Sequence, residues 1–313
     1  MVAYQKMLSL SNEDRCIKMM TKNFTTVRML LFLTMITFLT FACGCNNNVI
    51  RITHIETEAN SQPMMAQQTV PLPDVKDCAS GSGFTCTGLT YSQKDDTFWV
   101  GNFGMLYPSD SQRYPSIVQL SKDCTSVLTE IPLKETLSET LNFQGISYDN
   151  NSHSLWIADP SAGFIYNVTM NGKLLTQTAC TDANGVACDS DSDTLWVINN
   201  SSDKGDVVIK NIKKSGESII AIRISGIYHS DQLYLDEKND VLYFSAGAQY
   251  SGENYVYAVS LTENTCKKAY TLGDSYAIEG IFITDGQLFV CNDGLYHNST
   301  SNTNEMKIYT IAN

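Results

Sequence analysis

Ten positions recur in register along this chain, and nine of them carry a side-chain oxygen. Five open short apolar strands: Thr87, Gln144, Asn184, Asp231 and Glu279. Five lie three residues beyond a large aromatic: Asn102, Asp159, Asn199, Ala246 and Asn292. If the fold brings them together, amide carbonyls and carboxylates converge. That donor set suits a hard divalent cation such as Ca²⁺, which takes six to eight oxygen ligands. Asp231, Glu279, Asn184 and Asn292 are the expected metal ligands, with Asn102, Gln144, Asp159 and Asn199 completing the mouth around them. Without a cation the carboxylates repel one another and a pKa rises. A plainer reading also holds: Asn and Asp cap strands and fix turns through their own side chains.

The elements that would position these residues form a five-fold repeat. The copies read TGLTYSQKDDTFWVGN, QGISYDNNSHSLWIAD, NGVACDSDSDTLWVIN, DQLYLDEKNDVLYFSA and EGIFITDGQLFVCN. Their aromatics are Trp99, Trp156, Trp196, Tyr243 and Phe289, expected in the core between repeats rather than on a ligand platform. Repeats of this size built of short strands predict a β-propeller, whose innermost strands line a central channel. Antiparallel neighbours then put the start of each first strand and the end of each second strand at one mouth. Loops after Asn102 (Tyr107, Arg113, Tyr114) and after Asn292 (Tyr296, His297) extend that mouth. Four strands follow in each repeat except the last, which stops at three. The fold class is therefore an all-β, five-bladed propeller, with a six-bladed ring as the alternative. The strand VIRITHIETE, near Ile50–Glu58, is expected to pair with Met306–Ile311 and close the ring. The Asp189–Asp193 run DSDSD lacks the glycine and closing glutamate of an EF-hand and reads as a hairpin turn.

Residues 1–45 form a leader, 46–86 the closing strand and connector, and 87–313 the repeats. In the leader, Lys22 and Arg28 precede an apolar run from Met29 to Ala42, the length of a signal-peptide core rather than a membrane span. It ends in Ala42-Cys43-Gly44-Cys45, which resembles a lipobox, with Cys45 the preferred lipidation site over Cys43. The expected location is the bacterial cell envelope, lipid-anchored and facing periplasm or exterior. The remaining 268 residues hold 16 basic and 31 acidic side chains, a net of −15. Such a surface repels nucleic acid and anionic headgroups. Seven cysteines follow the leader, an odd number with no zinc-like spacing. Cys78–Cys86 and Cys180–Cys188, close in sequence, are the disulfide candidates.

The run xGLTYxxxxxTxWVxN, with QGISYD and LWIAD, resembles the SdiA-regulated (YjiK-like) family of bacterial envelope proteins, related to NHL-repeat propellers. The resemblance covers about 87–311 and implies a five-bladed propeller with bound calcium and no established enzymatic activity. The family's acidic residue before glycine stands here only at Glu279. Gluconolactonase-like propellers share the idea of Glu, Asn and Asp meeting a divalent ion. Two functions are thus expected. The first is a calcium-holding binding module for a protein, glycan or small molecule. The alternative is a metal-dependent hydrolase of lactone or phosphoester type, with Asp231 or Glu279 as base.

Overall fold

The computed structural model describes residues 48–57, 62–76, 78, 83–138, 141–201, 205–247, 254–294, 296–297 and 304–311. The leader, with Cys43 and Cys45, lies outside the described residues.

Three short strands come first: β1 (Asn48–Ile52), β2 (Ile55–Thr57) and β3 (Gln68–Pro71). Blade one is β4 (Cys86–Ser92), β5 (Thr97–Asn102), β6 (Ser116–Leu120) and β7 (Val127–Pro132). Blade two is β8 (Ile146–Asp149), β9 (Ser154–Asp159), β10 (Phe164–Thr169) and β11 (Leu174–Ala179). Blade three is β12 (Gly185–Asp189), β13 (Thr194–Ile198), β14 (Asp206–Lys213) and β15 (Ser218–Ser225). Blade four is β16 (Ser230–Asp236), β17 (Val241–Ala246), β18 (Asn254–Ser260) and β19 (Thr265–Leu272). Blade five has β20 (Ile278–Thr284), β21 (Gln287–Asn292) and β22 (Glu305–Thr310). Within each blade the strands pair antiparallel in chain order. The innermost strands β4, β8, β12, β16 and β20 each touch the next, and β20 touches β4, so the ring closes with five blades.

Five hydrophobic clusters fill the five seams between blades, and each seam takes one of the repeat aromatics. Trp99 packs between blades one and two, Trp156 between two and three, and Trp196 between three and four. Tyr243 and Phe289 serve the last two seams. Register explains the choice of aromatic. Each Trp stands opposite a small residue, Thr90, Ser147 or Ala187, whereas Tyr243 and Phe289 stand opposite Tyr234 and Phe282. Cross-strand partners share a face, so a large ring needs a small neighbour. Burial of each ring stabilises the seam by roughly 2 kcal/mol.

The acidic hairpin turns have a backbone reason. Asp96, His153, Asp193, Asp240 and Asp285 each sit one or two residues before a second strand with φ between 49° and 57°. Asp and His are among the residues that tolerate this left-handed region. In the Asp189–Asp193 run, Asp189 accepts the amide of Ser192 and Asp193 pairs with Lys214.

Ring closure differs from expectation in one element. The segment near Ile50 does not pair with β22. Instead β1 adds in parallel to β15 at the rim of blade three, and β2 adds in parallel to β19 at the rim of blade four. The strand that completes blade five is β3, from the stretch expected to be a connector, paired antiparallel with β22. β3 is an edge strand whose single buried apolar residue is Val70, beside Pro71, and it carries too little alternation to announce itself. Ile50 and Ile52 alternate properly, but they pack on the cluster built from Ile222 and Ile224.

The four disulfide candidates, Cys78, Cys86, Cys180 and Cys188, are all free thiols in this structure. Cys180 follows β11, the outer strand of blade two, whereas Cys188 lies on β12, the innermost strand of blade three. No bond joins Cys180 to Cys188 or Cys78 to Cys86.

Candidate metal centre at the channel mouth

The innermost strands approach so closely that a side chain has no room at most of the inner positions. A Cβ on Gly185 would lie 2.5 Å from the Asp231 carbonyl, and one on Gly280 would lie 2.6 Å from the Leu89 amide. Four repeats place glycine at this position, and the fourth repeat places Gln232 there. The strand is bulged between Ser230 and Leu233, and the Gln232 side chain reaches across the axis. Its amide nitrogen donates to the carbonyls of Thr87 (3.0 Å) and Gln144 (2.8 Å), tying blade four to blades one and two. Gln232 is 1% exposed.

Above this plug a cavity of about 250 Å³ opens at the mouth that the repeat pattern predicts. Asp231, Glu279 and Asp293 line it, with His297, Tyr296, Gln144, Asn142, Asn200, Phe103, Thr85 and Thr87. All three carboxylates are buried. Asp231 lies on β16 and Glu279 on β20, held by the backbone of the narrow axis. Asp293 directly follows β21, and the turn beyond it carries His297, whose Nδ1 lies 2.7 Å from Asp293 Oδ1. Ligand atoms of Glu279, Asp293 and His297 all lie within 4.8 Å of one another. Asp231 is hydrogen-bonded to Glu279 and accepts the side-chain amide of Asn184.

Burial dominates the electrostatics. It pushes Asp231 and Asp293 up to about 7 against the partial relief given by Glu279 and Asn184 to the first and by His297 to the second. Glu279 is driven well above the carboxylate range, by burial and then by the charges of Asp231 and Asp293. Burial pulls His297 down, but its bond to Asp293 and the charges of Asp293 and Asp231 together outweigh it, so the imidazole is raised. In the same cavity the hydroxyls of Thr85 and Thr87 are buried without a hydrogen-bond partner.

Of the expected ring, three residues reach this centre or its shell: Asp231, Glu279 and Asn184. Gln144 lines the wall, and its side chain donates to Asn142. The other four are caps. Asn102 accepts the Gly104 amide and donates to Ser116. Asp159 accepts the amides of Ser161 and Ala162. Asn199 is bonded to Val208 and Asp206, and Asn292 to Tyr276 and Val290. Asn292, expected as a ligand, is thus committed to the backbone, and its neighbour Asp293 turns inward in its place. Asp293 stands one residue beyond the expected repeat position; Phe103 and Asn200 are its counterparts in two other repeats and line the same cavity, but only here is the residue acidic. His297 was legible only as part of a loop extending the mouth.

The rim adds a cation. Arg113 lies 4.0 Å over the Phe103 ring and donates to the Leu141 carbonyl at 3.0 Å. Phe103 meets Tyr296 edge-on, and Tyr296 meets His297.

No protein-family model matches the chain, and no curated protein matches it. Some solved structures are similar to part of it. A chain of the nidogen/laminin complex is 12% identical with a TM-score of 0.49, covering 72% of this chain and 86% of its own. A luciferin-regenerating enzyme is 12% identical with a TM-score of 0.45, covering 78% of this chain and 95% of its own. Hydrazine synthase of Kuenenia stuttgartiensis is 11% identical with a TM-score of 0.45 over 66% of this chain, which spans 55% of that protein's length. The strand pairing itself identifies the chain as a five-bladed β-propeller.

Proposed function

We propose that this protein is a binding propeller whose channel mouth holds a divalent cation at Asp231, Glu279, Asp293 and His297. The observation that carries the reading is the cluster itself: Glu279, Asp293 and His297 offer ligand atoms within 4.8 Å of one another, and the buried Asp231 lines the same cavity. The donor set fits a dication. Three carboxylates supply the charge, and a metal would replace the protons that burial otherwise forces on them. The all-oxygen Ca²⁺ site expected from the sequence gains an imidazole. Nitrogen widens the choice to Mn²⁺ or Zn²⁺, which accept mixed carboxylate and imidazole donors. The cavity's size suits a small organic molecule, or one sugar or side chain of a larger partner, with an oxygen toward the centre and a flat face against Tyr296 and Phe103. The reading includes the leader: lipidation at Cys45 would hold the propeller at the cell envelope, as the resemblance to SdiA-regulated proteins implies.

The test is thermal denaturation of metal-stripped protein titrated with Ca²⁺, Mn²⁺ or Zn²⁺. A ligand at a hundredfold excess over its Kd stabilises the folded state by about 2.7 kcal/mol. For a domain of this size that is a rise of roughly 5–10 °C. Glu279→Gln and Asp293→Asn should each abolish the response while leaving the melt cooperative. Identical melts in chelator and in all three metals would refute the site. Turnover of lactones or phosphoesters by metal-loaded protein, lost in Glu279→Gln, would establish the hydrolytic alternative instead.

A further inference from the structure

The channel has a second end. Asp231 lines the candidate metal mouth, the buried Gln232 fills the axis, and Leu233 lines a separate cavity of about 250 Å³ on the far side. All five innermost strands, β4, β8, β12, β16 and β20, contribute to its wall, so it lies on the axis where those strands end. Leu89, Ile146 and Leu233 are buried and give it an apolar floor. The wall hydroxyls of Thr90 and Ser147 are already committed: they accept the amides of Tyr148 and Cys188 and so join blade one to two and blade two to three.

Three aromatic rings stand together in this cavity. Tyr91 comes from blade one, Tyr234 from blade four and Phe282 from blade five. The Phe282 ring lies 5.5 Å from Tyr91 at 36° and 4.9 Å from Tyr234 at 68°, so the planes are set at angles to one another. All three are half-buried and line the cavity. Two carboxylates, Asp236 and Glu237, line it with them. Burial raises Glu237 against the relief of the Ser190 amide it accepts, and the charges of Asp191 and Asp189 raise it further. The five hairpin turns that follow the inner strands contain two lysines, Lys94 and Lys238, and no arginine, amid many acids. Lys214 reaches this face from blade three, but it is paired with Asp149 and Asp193.

We propose that this rear cavity binds the alkylated ammonium group of an organic cation, against Tyr91, Tyr234 and Phe282 and beside Asp236 and Glu237. The face of an aromatic ring carries negative charge density and attracts a cation, most strongly where water is excluded. Methyl groups on the nitrogen pack on the apolar floor, and the two carboxylates balance the charge. Other ligand classes fit worse. An anion meets like charge. A neutral apolar molecule strips water from Asp236 and Glu237 and returns no partner. Lys238 also lines the cavity, but it is exposed, and its long stem lets the ammonium stay in water. The site is independent of the metal centre, because Gln232 fills the axis between them.

The experiment is calorimetric titration of the protein in chelator with choline, and with its neutral isostere 3,3-dimethylbutan-1-ol, which has the same shape without the charge. Choline should bind, and the isostere should bind at least roughly tenfold more weakly. A peptide carrying trimethyllysine, titrated in parallel, tells whether the ammonium group arrives free or on a chain; binding of either one by this route supports the site. Phe282→Leu and Glu237→Gln should each weaken choline several-fold, whereas Glu279→Gln, at the other mouth, should leave it unchanged. Glu237→Gln is a conservative change at a half-buried rim position, so it keeps the test alive if Phe282→Leu unfolds the protein. Absence of binding by both choline and the peptide overturns the proposal. So does equal binding of the neutral isostere, or choline binding that is lost in Glu279→Gln and kept in Glu237→Gln.

Discussion

Gln232 shows how one departure from a repeat sets the character of a ring. Where the other repeats keep glycine, this residue fills the axis and supplies donors to two blades at once. Gln232→Leu should leave the Thr87 and Gln144 carbonyls without these donors, lowering stability by about 2 kcal/mol in chemical denaturation. The thermal response to metal should survive, because Gln232 supplies no ligand. At this scale the sequence told much. The run of four glycines and one glutamine, and the acids Asp231 and Glu279, stand in plain register. Asn292 misled, because an asparagine at a strand end is as ready to cap a turn as to meet a cation. Asp293 is the one acid at a position that carries Phe103, Pro160, Asn200 and Gly247 in the other repeats, and His297 lies in the loop beyond it, where periodicity says nothing.

Among the elements, β3 carries the closure although it is the least conspicuous strand in the chain. Val70→Asp would bury a charge in the seam cluster beside Met306 and Ile308. An unpaired buried charge is costly, so this variant should lose its cooperative thermal transition or melt far below wild type. Deleting residues 48–57 should cost much less, since β1 and β2 only add to blades that already have four strands. The reverse order of severity would show that Ile50–Thr57 closes the ring after all. The sequence made the opposite choice because alternation in VIRITHIETE is strong and in QTVP weak. Strength of pattern identifies a strand but not which sheet edge receives it. The inner strands and their aromatic partners were legible because each must satisfy the same seam. Trp196→Ala, which empties one seam, should cost about 3–5 kcal/mol by the same denaturation measurement.

Across the whole molecule, the mouth makes stability depend on pH. Asp231 and Asp293 titrate near 7 in the folded metal-free protein, against about 3.9 in the unfolded chain. Glu279 and His297 are shifted in the same direction. The folded state therefore binds more protons than the unfolded one through this range, and stability falls as pH rises from about 4 through 7. Asp149 opposes this only at the acid end. Burial raises it, but Lys214, Trp156 and Ser152 together hold it down to about 2, so its contribution is complete above about pH 4. In chelator the melting temperature should be lower at pH 8 than at pH 5.5. Saturating metal should flatten or reverse that slope, because it binds the deprotonated carboxylates. A metal-free melt that rises over this interval would show that the mouth is not the dominant titrating group.

The placement of β1, β2 and β3 has a mechanical consequence. Each is bonded to a different blade, at the rims of blades three, four and five in turn. Tension drawn through the N-terminal end of the propeller meets these contacts in series. The load must strip β1 from Ile220–Ile224, then β2 from Cys266–Lys268, before it reaches the strand that keeps the ring shut. A force–extension trace pulled from residue 48 should show two low-force steps ahead of the main rupture, so the two rim strands would act as fuses in front of the circular clasp.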